Sequence, residues 1–486
     1  MKIIKKCISV AVLIGIVSLS GCKKFLDVQI TDRVTENELF NSTQGFQSAI
    51  NGIYIEMASD QLYGRDMSAG LIDVMAQYYF APTIFQPFKL FQYTDNAVNR
   101  PAFDAIWQKY YKVISNSNTI IDKCNTTSVL SATNKNIIKG EALAIRGFLH
   151  FDILRFWGPI YNSTSKTALI IPYSISSTPI VSPYRSSESI TDSVIKDLTS
   201  SLELLKQSDP VTTQGRKNMS DLINGDFLSY RQYRLNYFAV KALLARVYQW
   251  RQDNTNARKY ALEVIQEASS FFPFVTAAAA TNTANTDRIF SSEILFGSYD
   301  NTRNAMYNNF LSPAASNRIY IQGDASGRAN EMYDDKNDYR YLSYATQQVG
   351  NLSLFYNRKY EPQTTVINNQ SVSSEFNNYI PLIRMSEMYY IAAETAPTVS
   401  EGLTYLNKVR LARSARDLTA ADASALNLAL RNEYRREFIG EGQLFFYYKR
   451  RSLTSVPDGS SATANITISV VNYVVPMVQS EVNLRN

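Results

Sequence analysis

Histidine occurs once and cysteine three times in 486 residues, and these shortages exclude whole chemistries. The lone His150 lies inside an apolar helical run and reads as a core residue, not a catalyst. The chain has no H-E-x-x-H pair, no G-x-S-x-G elbow, no Walker loop and no paired C-x-x-C. Cys7 and Cys22 sit at the amino terminus, so Cys124 has no partner in a mature chain and no intramolecular disulfide forms there. An exported chain without disulfides must rely on a large core, which this length supplies. Cys124 itself reads as a small buried hydrophobe. Strong charge is missing too: the balance is +6, and without the three lysines of residues 1–21 it is 46 basic against 43 acidic, or +3. That is no footprint for nucleic acid. Asp334, Asp335, Asn337 and Asp338 cluster without the spacing of an EF-hand loop and read as a solvated turn. No metal and no cofactor is expected.

Long apolar runs are scarce. The one at Cys7–Leu19 is too short to span a bilayer comfortably, and it follows the basic Lys2, Lys5 and Lys6. Leu19-Ser20-Gly21-Cys22 then looks like a bacterial lipobox. Cleavage before Cys22 and acylation of that residue would anchor the protein to a membrane. Residues 1–21 are thus read as a lipoprotein signal peptide, and 22–35 as lipid anchor and tether.

What the chain does have is helical periodicity. In 140–159, GEALAIRGFLHFDILRFWGP, Ile138, Ala142, Ile145, Leu149, Ile153 and Phe156 form one apolar stripe, and Ile137, Ala144, Phe148 and Phe151 a second. Such a helix must sit between others, and Gly147 in its middle predicts the close approach of one of them. Its polar Arg146, His150, Asp152 and Arg155 then need partners. Helices are also expected over 36–57, 102–124 and 191–206. In 237–268, Leu244, Ala245, Tyr248, Ala257, Ala261 and Val264 have the spacing of a tetratricopeptide repeat, with the turn near Asp253-Asn254. A partial second copy spans 383–410. Residues 273–381 are rich in Asn, Ser, Thr and Gly, and Arg318-Ile319-Tyr320-Ile321 suggests a strand. The fold class is therefore mainly α: a tetratricopeptide-like scaffold of helical pairs with an irregular, loop-rich subdomain.

Several segments together resemble the SusD/RagB family. The 140–159 helix is similar to its signature, 378–394 (NNYIPLIRMSEMYYIAAE, beginning at Asn377) to "LIRYAEVYLIYAEA", 434–450 (YRREFIGEGQLFFYYKR) to "RRxEFxxEGxRFFDLKR", and 475–481 (VPMVQSE) to a terminal "PIPQSE". Leu444 and Tyr447 stand where that pattern has arginine and aspartate, which puts the ion pair of that helix in question. The resemblance implies one domain over 36–486, with the helical scaffold at about 36–272 and 378–486 and the irregular subdomain at about 273–377. It implies a non-catalytic, outer-membrane, cell-surface lipoprotein that binds glycans and delivers them to a SusC-like TonB-dependent transporter. A tetratricopeptide-type protein-interaction scaffold and a glycoside hydrolase are the alternatives.

No motif fixes the binding residues. The 61–99 segment is dense in aromatics, broken by Pro82 and Pro87, and reads equally as a binding surface or as a loop tucked on the core. From it come Arg65, Tyr78, Tyr79, Phe91, Tyr93 and Asn96. Phe91 and Tyr93, two apart, could share a face. A mid-chain region adds Tyr299, Arg303, Tyr307, Asn317 and Tyr320. The rings could stack on sugar C–H faces while amide and guanidinium groups bond hydroxyls.

Overall fold

Ser42, Ser131, Ser186 and Asn236 each accept a hydrogen bond from a backbone N–H three residues on, and each starts a long helix. The computed structural model describes residues 35–93, 99–178, 180–216, 227–319, 328–350, 352–367 and 370–485. It is mainly helical. The principal elements are α1 (Thr43–Met57), α2 (Asn99–Thr126), α3 (Ala132–Trp157), α4 (Ser187–Leu205), α5 (Tyr237–Trp250), α6 (Asn254–Ala268), strand β1 (Ile294–Tyr299), strand β2 (Tyr379–Arg384), α7 (Met385–Glu394), α8 (Val399–Ala412), α9 (Ala423–Glu437) and α10 (Leu444–Arg450).

The centre is α3, packed by α2 and α4 along its length and touched by α1 and α5. Both of its stripes are buried. Gly147 and Gly140 receive Leu198 and Leu205 of α4; a Cβ on Gly147 would lie 3.3 Å from Leu198 Cδ2. This is the close approach expected from a glycine in mid-helix. The four charged or ionisable side chains on the buried part of α3, Arg146, His150, Asp152 and Arg155, all find partners. Arg146 makes two 2.6 Å bonds to Asp197, and Asp152 accepts from Tyr63 at 2.7 Å and Arg155 Nε at 3.1 Å. His150 stacks on Tyr173, donates from Nδ1 to Arg146 O and accepts the Ser174 N–H at Nε2, both 2.9 Å. Burial pushes its pKa down to about 3, so it is a neutral core residue. Cys124 is a buried free thiol, pushed up to about 12 by burial.

Helices α5 and α6 form the expected pair, with Ala245, Ala257 and Ala261 at 0 % exposure in the contact and Tyr248 stacked on Tyr260 at 5.6 Å. α7 and α8 form a second pair that docks on α6. Gly402 lets them close: a Cβ there would stand 2.9 Å from Ala393 O.

Four local expectations are corrected. The 36–57 helix is two, Glu36–Leu39 and α1, because Ser42 starts a new cap. The 378–394 segment, a helix in what the resemblance implies, is strand β2 followed by α7. Pro381 cannot donate inside a helix, and the segment pairs instead with β1, Tyr299 opposite Tyr379, Ser298 opposite Ile380, Phe296 opposite Ile383 and Ile294 opposite Arg384. The 434–450 helix breaks after Glu437, where Gly440 (φ 79°) and Gly442 (φ 70°) turn the chain into α10. Arg318 and Ile319 are not in a strand, and Tyr320 and Ile321 lie outside the described residues. Other strands in the middle of the chain form short antiparallel ribbons, 344–349 with 352–357 and 364–367 with 370–373.

The substituted positions of the last motif pack rather than pair. Leu444 is buried, and Tyr447 stacks on Tyr434 with centroids 4.2 Å apart. The ion pair of α10 is Arg450–Glu394, with two bonds of 2.7 Å. The acidic turn at 334–338 is solvated in part: Asp334 and Asn337 are exposed and Asp335 and Asp338 buried, and arginines pair with all three carboxylates, Asp334 with Arg410 and Arg436, Asp335 with Arg416, and Asp338 with Arg340.

Candidate functional site

The early aromatic segment is mostly core. Tyr78 and Tyr79 are each 4 % exposed, and the Tyr78 hydroxyl donates to Arg435 O at 2.9 Å. Phe91 and Tyr93 do meet, edge to face at 6.2 Å, but inward: Tyr93 also packs on Phe103 and donates to Asn472 O. Arg303 and Tyr307 are buried as well, with the Arg303 guanidinium 5.1 Å from the Tyr360 ring centre. All six of these side chains are at least nine-tenths buried. Asn96, Tyr320 and Cys22 lie outside the described residues. Arg65 stays partly accessible, pairs with Asp60 and Asp66, and lies 5.3 Å from the Phe310 ring, so the early and mid-chain regions do touch. Asn317 is exposed. Tyr299 is 50 % exposed, and it leads to a different site.

Tyr299 ends β1 and faces Tyr379 across the ladder, with ring centres 5.9 Å apart. Tyr233 packs on both, at 5.6 Å and 4.8 Å, and Tyr230 stacks on Tyr233 at 6.0 Å. Tyr230 holds a left-handed backbone, φ 53°, which costs of order 1–3 kcal/mol. The four tyrosines make a ridge. On one side lies a cleft of about 530 Å³ between α1, the 227–234 segment and β1. On the other lies a second cleft of about 370 Å³, toward Pro273–Thr276, which shares Tyr230 and Tyr233 as its wall.

The larger cleft combines rings with uncharged polar groups. Tyr54, Phe227, Tyr230, Tyr233, Phe296 and Tyr299 supply the rings, and Gln44, Gln47 and Asn51, on one face of α1, supply amides. The hydroxyls of Ser229 and Ser298 are buried in its lining and have no hydrogen-bond partner among the described residues. Arg234 is fixed between the Tyr54 and Phe227 rings, at 5.0 Å and 4.5 Å, and bonds Glu141 at 3.2 Å and Asn51. Tyr54 in turn donates to Glu141 at 3.0 Å; its burial holds the phenol well above its ordinary pKa, so it stays neutral. Among the described residues the lining contains no carboxylate. Stacking faces beside amides, hydroxyls and one guanidinium suit a neutral polyhydroxylated ligand. Sequence reasoning reached only Tyr299. The missed signal was Tyr230-Arg231-Gln232-Tyr233-Arg234, an aromatic–basic run just before the capped start of α5.

Residues 24–249 match a family model described as "Starch-binding associating with outer membrane", and residues 276–484 match the SusD family model. A SusD superfamily protein of Bacteroides thetaiotaomicron has a similar structure, with TM-score 0.72 and 22% identity, covering 91% of this chain and 98% of its own. A SusD-like carbohydrate binding protein of Bacteroides vulgatus is similar at TM-score 0.68 and 18% identity, covering 91% and 96%. In sequence, SusD-like protein P25 of Formosa agariphila is 21% identical over 165 residues, 30% of each chain.

Proposed function

The chain belongs to the SusD/RagB family, and on that premise we propose that it is a non-catalytic surface lipoprotein that binds glycans in the cleft beside the tyrosine ridge and passes them to a TonB-dependent outer-membrane transporter. The cleft carries the reading: six aromatic side chains and the three amides of Gln44, Gln47 and Asn51 line one opening of about 530 Å³. Sugar rings stack on the aromatics through their C–H faces, and the amides and hydroxyls bond the O–H groups. Hydrolysis would need two carboxylates flanking a glycosidic bond. The cleft supports binding without turnover.

Alanine at Tyr299 and, separately, at Phe227 should weaken glycan affinity by roughly tenfold or more, with an unchanged melting curve. Calorimetry against the best ligand from a carbohydrate array measures this. Wild-type affinity in both variants would move the site elsewhere, and wild-type protein that binds no carbohydrate would end the reading.

Attachment is proposed at Cys22. Among the described residues no helix is long and apolar enough to cross a membrane. Several acyl chains on one residue give stable anchoring where one is marginal. Cys22→Ala should shift the protein from the membrane fraction to the soluble one; a variant that still sediments wholly with outer membranes would contradict the lipid anchor.

A further inference from the structure

Tyr230 and Tyr233 wall two clefts at once. The larger one holds Tyr299, and the smaller one, of about 370 Å³, holds Tyr379. Those two residues stand opposite each other, at the end of β1 and the start of β2, with ring centres 5.9 Å apart. A layer of tyrosine side chains is therefore what separates the two spaces. Both volumes lie in the range of small-molecule sites, about 300–1,000 Å³.

The smaller cleft offers the same kinds of contact as the larger one, from different groups. Phe376 and Tyr379, both half-buried, add rings to Tyr230 and Tyr233. Arg216 is also in the lining. Among the described residues its guanidinium makes one bond, to Ser291 O at 3.4 Å, and no ion pair. Its other N–H groups are donors for hydroxyl oxygens. Thr276 is exposed in the lining and accepts the Ala279 N–H at 3.2 Å, which leaves its own hydroxyl hydrogen to donate. Asp287 is the one carboxylate of the lining among the described residues. It is buried and accepts the Ser291 N–H at 2.9 Å and the Ser291 hydroxyl at 2.8 Å, so it is engaged within the wall.

Two clefts of similar chemistry that share a wall suit one ligand long enough to occupy both. Once part of a chain is held in the larger cleft, its next part meets the smaller one at a high effective concentration. We infer that the smaller cleft is a second subsite for the same molecule, and that the ligand is an oligosaccharide chain that crosses the tyrosine ridge with sugar rings on both sides. This rests on the larger cleft being a glycan site. The chain meets the amides of α1 on one side and the Arg216 guanidinium on the other, and a disaccharide fills one cleft only.

The test is calorimetry on the full mature chain, without its lipid, against malto-, cello-, laminari- and xylo-oligosaccharides from disaccharide to heptasaccharide. In the series that binds, affinity should rise roughly tenfold or more from the disaccharide to the longest members, with one chain bound per protein. Tyr299→Ala should weaken every length by a similar factor. Phe376 and Ala279 line the smaller cleft and not the larger. Phe376→Ala, which removes a ring, and Ala279→Trp, which fills the space, should each erase the gain with length and leave disaccharide affinity as in wild type. The two substitutions are independent, so one that fails to fold leaves the other to decide. Affinity that does not change with length, a gain that survives in a folded variant, or two chains bound per protein would overturn the second subsite and leave the larger cleft as the glycan site. A protein that binds no member of any series would overturn the glycan site itself, and the second subsite with it.

Discussion

Glu437→Ala should destabilise the protein by about 3–5 kcal/mol, the range for leaving a buried charge pair half made. Glu437 closes α9 at 0 % side-chain exposure. It accepts Arg413 Nη2 at 2.5 Å and Nε at 3.2 Å, Arg340 Nη1 at 2.8 Å, and Arg384 Nη1. One turn earlier, Glu433 accepts Arg410 at 2.5 Å, Arg436 at 2.6 Å and Arg340 at 2.8 Å. Glu293 completes the group with bonds of 2.6 and 2.7 Å from Arg413. Arginine cannot shed its proton to escape, so deleting Glu437 leaves Arg384 and Arg413 buried with fewer acceptors than their charge demands. Urea unfolding measures the loss, and a change below about 1 kcal/mol would mean the network contributes little beyond filling space.

The same network sets the acid limit. Burial alone would push both carboxyls up, but Arg413, Arg384 and Arg340 hold Glu437, and Arg340, Arg436 and Arg410 hold Glu433, well below the usual 4.5. A depressed folded pKa contributes stability that is complete above the unfolded value and lost as pH falls below about 4.5 toward the folded one. Glu437→Ala should therefore flatten the stability loss below that pH as well as lower the plateau above it.

How much of this was legible in sequence depends on range. The pair α5–α6 was readable because Ala245, Ala257 and Ala261 recur at helical spacing, and Gly147 announced the neighbour that fits against it. β2 was harder: Pro381 speaks against a helix, but the apolar Ile380, Leu382 and Ile383 around it suit helix and strand alike, and the partner strand β1 lies some eighty residues away in sequence. The burial of most of the candidate aromatics was hidden for a related reason. Aromatic density is the same whether rings face solvent or core. Tyr78 and Tyr93 went inward because backbone carbonyls of Arg435 and Asn472 receive their hydroxyls. The ridge draws its four tyrosines from three separate segments, and no local window contains it. The arginine–glutamate network is hidden in the same way: the 434–450 motif supplies Glu437 and Glu441, whereas Glu293, Arg340 and Arg384 arrive from elsewhere.

Arg231→Met should cost a similar amount, about 3–5 kcal/mol, and should also reach the cleft. Arg231 is wholly buried, with Nε and Nη2 on the two oxygens of Asp209 at 2.9 Å and Nη1 on Glu141 at 2.6 Å. Asp209 would keep the N–H groups of Val211 and Tyr237. Glu141 would keep Arg234 at 3.2 Å and the Tyr54 hydroxyl, yet it is 0 % exposed and would carry its charge with one guanidinium fewer. Arg231→Lys should rescue little, because a point cation cannot reproduce the fork that spans two carboxylates. Arg231 also holds the run that carries Tyr230 and Tyr233, so glycan affinity should fall along with stability. In the double variant Glu141→Gln, Arg231→Met, the stranded charge is gone, and the combined loss should be smaller than the two single losses added together. Strict additivity would show that Glu141 and Arg231 do not act as a unit, and would remove the link between this buried pair and the cleft above it.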